Sequence, residues 1–172
     1  MFFRAQTIEI VLCLPLAMIP IFGGPGNVSR SIQRHGIPSD LSITLERTRC
    51  YGFCPSYVLT ISASGAVAYE GRAHVKVMGN AKSVIPKEKL RRLIGAFEKI
   101  DFFALRGSYE TPEDGCKDWA ADGPTAITTL KINGRAKTVR HYYGCRGFAE
   151  LVELEKLEQS IDDAANAAQW IR

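Results

Sequence analysis

The sequence lacks the short motifs that most readily identify nucleotide-binding and serine-hydrolase sites. It contains no G-x-x-x-x-G-K-[ST] loop, no G-x-G-x-x-G loop and no G-x-S-x-G turn. Its three histidines, His35, His74 and His141, lie far apart in the chain. No sequence motif identifies a serine or threonine as a nucleophile with a base beside it. These absences argue against a hydrolase or a nucleotide-dependent enzyme, and we expect no catalytic residues and no cofactor.

A clustered basic surface is also missing. The 22 Lys and Arg residues and the 18 Asp and Glu residues are scattered in both signs, for a net charge of +4. The densest basic stretch, Lys87 to Arg92, includes Glu88 and lies on a predicted helix. Because nucleic-acid binders usually carry a basic patch on one face, we expect no nucleic-acid partner.

The longest apolar run, residues 10–22, is too short to cross a membrane comfortably but has about the length of a signal-peptide core. Arg4 precedes it, as in a signal peptide, whereas Glu9 and the lack of an Ala-x-Ala site depart from the usual pattern. We interpret residues 1–24 as a signal peptide or N-terminal anchor and predict export to the periplasm or the extracellular space. Membrane contact is expected only through an uncleaved N-terminus.

The remaining chain divides into a linker and one folded domain. Residues 25–40 are polar, with Gly and Pro near both ends, which is typical of a linker. Residues 41–172 are predicted to form a single α+β domain. Its architecture is predicted to be an antiparallel sheet built from two hairpins plus an N-terminal strand, with two helices packed on one face.

Two periodicities define these elements, because alternating apolar residues predict strands and an i, i+3, i+4, i+7 stripe predicts a helix. The predicted strands and helices, in chain order, are a strand at Ser42–Arg49, a hairpin of Tyr57–Ser62 and Ala66–Glu70, a short strand around Ala73–Met78, a helix at Pro86–Ile100 with Ser83 as its candidate cap, a hairpin of Thr125–Ile132 and Arg135–Tyr143, and a helix at Phe148–Ile161. Residues 107–124, rich in Gly, Asp and Pro, are predicted to form a loop.

Turn chemistry predicts the register of both hairpins. A three-residue loop with Gly65 in the left-handed conformation places Ile61 opposite Val67, so that apolar residues face each other. The Asn133-Gly134 dipeptide predicts a two-residue turn, which puts His141 on the same face as the apolar residues of the second hairpin.

Four cysteines lie beyond the predicted signal peptide, at Cys50, Cys54, Cys116 and Cys145. An even number of cysteines in an exported domain favours disulfides, and four cysteines allow three pairings. We favour Cys50–Cys54 with Cys116–Cys145. The second pair lies at the entry and exit of the second hairpin, and an antiparallel hairpin brings its two ends together.

The segment between Cys50 and Pro55 has three interpretations. We favour a structural disulfide that holds a tight turn. The first alternative is a reactive dithiol, with Arg47 and Arg49 as nearby cations that would favour a thiolate. The second is a Cu(I) or Zn(II) site formed by Cys50, Cys54 and His141, since thiolate and imidazole are ligands that suit these ions.

The loop over residues 107–124 supplies a further candidate binding site. We favour Trp119 as a partly buried anchor of the loop. The alternative is that Trp119, with Tyr109 near it, forms a platform on which a sugar or a peptide could stack.

Several segments resemble one known family. The stretch Arg47–Tyr57, RTRCYGFCPSY, and the following ISASGAVAYEG, Ile61–Gly71, resemble a bacterial family catalogued as a domain of unknown function, number 6438. The segment EKIDFFAL, Glu98–Leu105, and the Asn133-Gly134 hairpin are similar to it as well. The resemblance covers about residues 41–171. It implies an exported or envelope-associated domain and supplies no activity.

These observations predict a non-enzymatic, disulfide-stabilised envelope module that binds an unknown protein or cell-envelope partner. The alternative prediction is a thiol redox or copper-handling protein that uses the Cys50/Cys54 pair.

Overall fold

The computed structural model describes residues 36–172, so the predicted signal peptide or anchor and most of the predicted linker lie outside the described residues. The strands are β1 (Ser42–Arg47), β2 (Ser56–Ser62), β3 (Ala66–Ala73), β4 (Gly79–Val84), β5 (Ser108–Tyr109), β6 (Asp118–Trp119), β7 (Thr125–Ile132), β8 (Arg135–Tyr142) and β9 (Cys145–Arg146). The helices are α1 (Lys87–Lys99), α2 (Ala149–Ala165) and α3 (Ala168–Ile171). Within residues 36–172, no helix is long and apolar enough to span a bilayer.

The first strand lies at the centre of a seven-stranded sheet with the order β4-β3-β2-β1-β7-β8-β5. The strands pair antiparallel, except that the two-residue β5 runs parallel to β8. One hairpin therefore flanks β1 on each side. A separate ribbon pairs β6 with β9. This arrangement confirms the predicted α+β fold.

The two faces of the large sheet differ in polarity because side chains alternate along each strand. Ile43 at the centre of the inner face is fully buried. The outer face carries hydroxyl pairs, in which the Oγ1 atoms of Thr44 and Thr60 lie 3.1 Å apart and those of Thr129 and Thr138 lie 2.9 Å apart. The inner-face residues and the buried residues of α1 and α2 form one hydrophobic core.

The two long helices, α1 and α2, each bury an apolar stripe. Helix α1 buries Leu90, Leu93, Ile94 and Phe97, as the sequence predicts. Helix α2 is one turn longer than predicted, and its C-cap Asn166 adopts the left-handed conformation with φ of 53°. The buried stripe of α2 includes two carboxylates, Glu158 and Asp162, among its apolar residues.

The predicted hairpin registers are confirmed. Ile61 faces Val67 across the first hairpin, and Gly65 in its loop has φ of 85°. Ile132 faces Arg135 across the Asn133-Gly134 turn. His141 is buried on the inner face.

Two predictions around the first sheet edge are wrong. Residues 74–78 connect β3 to β4, because the chain turns at His74 and Gly79, where φ is 52° and 77°. The fourth strand instead runs from Gly79 to Val84, where the polar sequence GNAKSV suits an edge strand but carries little strand signal. Ser83 lies in this strand, and the N-cap of α1 is Pro86, without a side-chain hydrogen bond.

The segment 107–124 contains more structure than the predicted loop. It includes β5, a 3₁₀ turn at Pro112–Asp114 and β6. Thr111 and Asp114 form a reciprocal capping box around the turn. These elements are too short for periodicity to reveal them, because a two-residue strand shows no alternation.

We predict that Gly65→Ala destabilises the domain more than Gly79→Ala. Both glycines have positive φ, which costs an L-residue roughly 1–2 kcal/mol. Only at Gly65 would the new Cβ overlap the backbone carbonyl of Ile85, whereas at Gly79 it meets no atom within 4 Å. Urea unfolding of both variants measures the difference in unfolding free energy, and equal losses would contradict the steric argument.

Candidate functional site

A buried polar network joins the central strand to α2. The carboxylate of Asp162 accepts from Nε and Nη2 of Arg47 at 2.9 and 2.8 Å, both on Oδ2. Its other oxygen accepts from the hydroxyl of Tyr57 at 2.8 Å. The side chains of Arg47 and Asp162 are only 19% and 11% exposed, so the ion pair is largely removed from water.

A second carboxylate extends the network. Nη1 of Arg47 donates to the hydroxyl of Tyr143 at 2.7 Å, and that hydroxyl donates to Glu158 at 2.7 Å. Nδ1 of His141 lies 3.1 Å from the other oxygen of Glu158. The rings of His141 and Tyr143 stack, with centroids 4.6 Å apart. Glu158 is fully buried, and these two partners satisfy its carboxylate.

The network keeps both tyrosines protonated. Burial raises the pKa of Tyr57, and the charge of Asp162 raises it further. Burial and then the charge of Glu158 raise the pKa of Tyr143 in the same way. Burial alone would lower the pKa of Arg47, but Asp162 and the two tyrosines outweigh it and raise that pKa. The phenols therefore act as hydrogen-bond donors rather than as bases.

Burial opposes the ionisation of Asp162 and raises its pKa, against the lowering by Arg47 and Tyr57. The three N–H and O–H donors around its carboxylate nevertheless match an ionised group at neutral pH. A charge held this way is costly to leave unpaired.

The network borders a concavity on the surface of the described domain. Arg47, Tyr143 and Asp162 line a cleft of about 880 Å³ between the sheet end and the C-terminal part of α2. Cys54 and neighbouring Pro55 form another part of its wall. This volume lies in the usual range of about 300–1,000 Å³ for ligand sites.

The loop between β1 and β2 lies beside this cleft and is closed by the Cys50–Cys54 disulfide. The backbone N–H of Tyr51 donates to the carbonyl of Asp122 at 3.1 Å. Tyr51 and Phe53 are nevertheless 89% and 88% exposed. The rings of Phe53 and His74 pack edge to face, with centroids 5.2 Å apart, which is a further contact of this loop with the domain. We refer to residues 50–54 as the aromatic loop.

The second disulfide joins Cys116 to Cys145, so both favoured pairings are present in the structure. It ties the segment that precedes β7 to the segment that follows β8. Both of its cysteines are buried.

The structure does not bring the predicted metal ligands together. Cys50 and Cys54 are bonded to each other, and Nδ1 of His141 contacts Glu158. Among residues 36–172, no group of three or more His, Cys, Asp or Glu side chains is placed to hold a metal ion.

The two predicted binding aromatics lie in different environments. Trp119 is 49% exposed, whereas Tyr109 is buried, and its hydroxyl accepts from the backbone N–H of Arg106. The ring beside Trp119 is that of Tyr142, with centroids 5.8 Å apart. Tyr109 precedes Trp119 in the same segment of the chain, whereas the ring that contacts Trp119 comes from β8.

The polar network is not predicted from the sequence. Its one available signal is the pair Glu158 and Asp162, spaced i, i+4 on the stripe that also contains Leu154 and Ile161. Carboxylates on a buried face require partners, which indicates a network without showing which residues complete it.

The domain is therefore an α+β protein with a sheet that is covered by helices on one face, two disulfides and a cleft bordered by a buried charge network. The family described as Domain of unknown function (DUF6438) matches residues 41–165, and the chain belongs to this family. The matched residues include both disulfides and the whole network. No curated protein matches the chain.

We predict that Asp162→Ala lowers the unfolding free energy by about 3–5 kcal/mol, because it leaves Arg47 buried without its counter-ion. The matched control is Asp163→Ala. Asp163 is the exposed neighbour of Asp162 on the same helix, and its removal should cost within about 0.5 kcal/mol. Chemical unfolding measures both, and comparable losses would show that the ion pair does not hold α2 to the sheet.

Proposed function

We propose that the protein is an exported, non-enzymatic binding module that holds a protein partner through the aromatic loop. The observation that supports this most is the exposure of two rings on one short, covalently closed loop, 89% for Tyr51 and 88% for Phe53. Exposed apolar side chains that are scattered singly need no explanation, but two rings presented together do.

The loop has the properties of an interface anchor. Tyr and other large aromatic side chains supply much contact area for few rotatable bonds, and they are enriched at binding hot spots. The disulfide and the hydrogen bond from Tyr51 to Asp122 restrict the backbone before any partner binds. A pre-organised loop loses less conformational entropy on binding, which favours affinity.

Export is supported by the cysteines and by the N-terminal sequence. All four cysteines of the described domain are paired in disulfides, which persist in oxidising compartments. The apolar run at residues 10–22 has the length of a signal-peptide core.

A second candidate function is thiol redox or copper handling by Cys50 and Cys54. One observation favours it: Cys54 lines the cleft, so a small thiol or an ion that enters the cleft would reach this pair. The two candidates differ in whether the sulfur atoms or the aromatic rings carry the function.

We predict that a photo-crosslinking amino acid at position 51 or 53 captures a partner in the native host, whereas one at position 84 does not. Val84 is the matched control, because it is 75% exposed on the edge strand β4. Mass spectrometry of the adducts identifies the partner. Equal capture from all three positions, or no capture from the aromatic loop, would contradict the proposal.

The double variant Cys50→Ser/Cys54→Ser separates the two candidates. We expect it to fold, with a loss of about 2 kcal/mol, because the closed loop is short and the other disulfide remains. As a binding module it should capture less partner, because the aromatic loop loses its covalent closure. Unchanged capture together with the loss of a measurable thiol-exchange activity or of Cu(I) binding would instead support the redox or copper function.

A further inference from the structure

The β6–β9 ribbon fixes Trp119 at the surface. In the ribbon, Trp119 pairs with Cys145. The disulfide partner of Cys145 is Cys116, which lies three residues before Trp119. Backbone hydrogen bonds from Lys117 to Arg146 and from Ala120 to Gly144, both 2.9 Å, flank the pair. The backbone under the indole is therefore held by a covalent bond and by a short ladder.

The indole ring itself is also fixed. Its Nε1 donates to the carbonyl of Glu110 at 3.0 Å, so its polar atom needs no ligand partner. The ring lies against Tyr142, whose hydroxyl donates to the carbonyl of Ala120 and accepts from the N–H of Gly123. An aromatic surface that is locked in place yet half exposed can receive a flat apolar face with little loss of entropy.

A charged pair borders this aromatic surface. Nε and Nη2 of Arg140 donate to the two carboxylate oxygens of Glu110, at 2.6 and 3.0 Å. Arg140 and Tyr142 are two residues apart on β8, so both project from the helix-free face of the sheet. Three of the five guanidinium N–H groups of Arg140 have no partner among residues 36–172, and its side chain is 46% exposed.

The surroundings of Trp119 distinguish it from the aromatic loop. The other large exposed apolar side chains of the described domain are Tyr51, Phe53, Met78, Val84 and Val152. None of them neighbours Trp119 in the ribbon, where the exposed residues Lys117, Asp118 and Arg146 are charged. A protein hot spot has an apolar core around its anchor. An aromatic surface bordered by planar, hydrogen-bonding groups fits a ligand that is apolar on one face and hydroxylated at its edge.

We propose that Trp119, Tyr142, Arg140 and Glu110 form a binding site for a neutral oligosaccharide with pyranose rings. The axial C–H groups of a pyranose would lie on the indole, whose face is negatively polarised. Vicinal hydroxyls would accept from the free N–H groups of Arg140 and donate to Glu110, in the bidentate geometry that a guanidinium presents. This site is independent of the aromatic loop.

Tryptophan fluorescence provides a direct test, because the described domain has two tryptophans and the other, Trp170, is buried against Tyr69. The full chain is titrated with the β-1,4-linked tetramers of N-acetylglucosamine and of glucose. We expect a saturable change in emission with at least one tetramer, and the comparison shows which type of sugar the site takes.

Variants of the proposed site then test which side chains bind the sugar. Trp119→Ala should weaken binding by about tenfold or more, measured by calorimetry, whereas Trp119→Phe should retain most of it. Arg140→Lys keeps the charge but loses the bidentate geometry and should weaken binding by several-fold. The double variant Tyr51→Ser/Phe53→Ser is the control and should bind the sugar normally, which separates this site from the proposed protein interface.

Two results would overturn the proposal. One is the absence of saturable binding of both tetramers to the folded wild-type chain. The other is binding that Trp119→Ala leaves unchanged while thermal unfolding shows that this variant is folded.

Discussion

The ion pair between Arg47 and Asp162 joins the end of the central strand β1 to the last turn of α2. Because Tyr57 on β2 donates to the same carboxylate, one charged group links two strands and a helix. Arg47, Tyr57 and Asp162 all line the cleft, and the aromatic loop lies between Arg47 and Tyr57 in the chain. A buried pair of this kind fixes the position of the helix relative to the strand more than it adds to the net free energy of unfolding, since desolvation offsets much of the attraction.

The two disulfides close loops of very different length. Cys50–Cys54 closes a loop within one turn and presents two rings to solvent. Cys116–Cys145 spans 29 residues and secures the ribbon that carries Trp119. Gly144 is required here, because a Cβ at this position would overlap the carbonyl of Ala120 and the ring of Tyr142. Each disulfide thus holds a segment that presents aromatic side chains at the surface.

Features that depend on a few adjacent residues are predicted correctly from the sequence, whereas features that depend on distant residues are not. The stripe from Leu90 to Phe97 and the turns at Gly65 and Asn133-Gly134 depend on a few adjacent residues, and the structure confirms them. The edge strand β4 was misplaced because its pairing with β3, and not its own apolar content, makes it a strand. The network was missed because Arg47 and Asp162 are separated by 115 positions.

The sequence by itself determined the α+β class, both hairpin registers and an even set of cysteines for which one pairing was favoured. These features follow from periodicity, turn conformation and proximity along the chain. Only the tertiary structure decided that Tyr109 is buried while Tyr142 lies beside Trp119, and that Glu158 binds His141 and Tyr143. Such contacts depend on how strands and helices pack, and the packing brings together residues between which no local pattern exists.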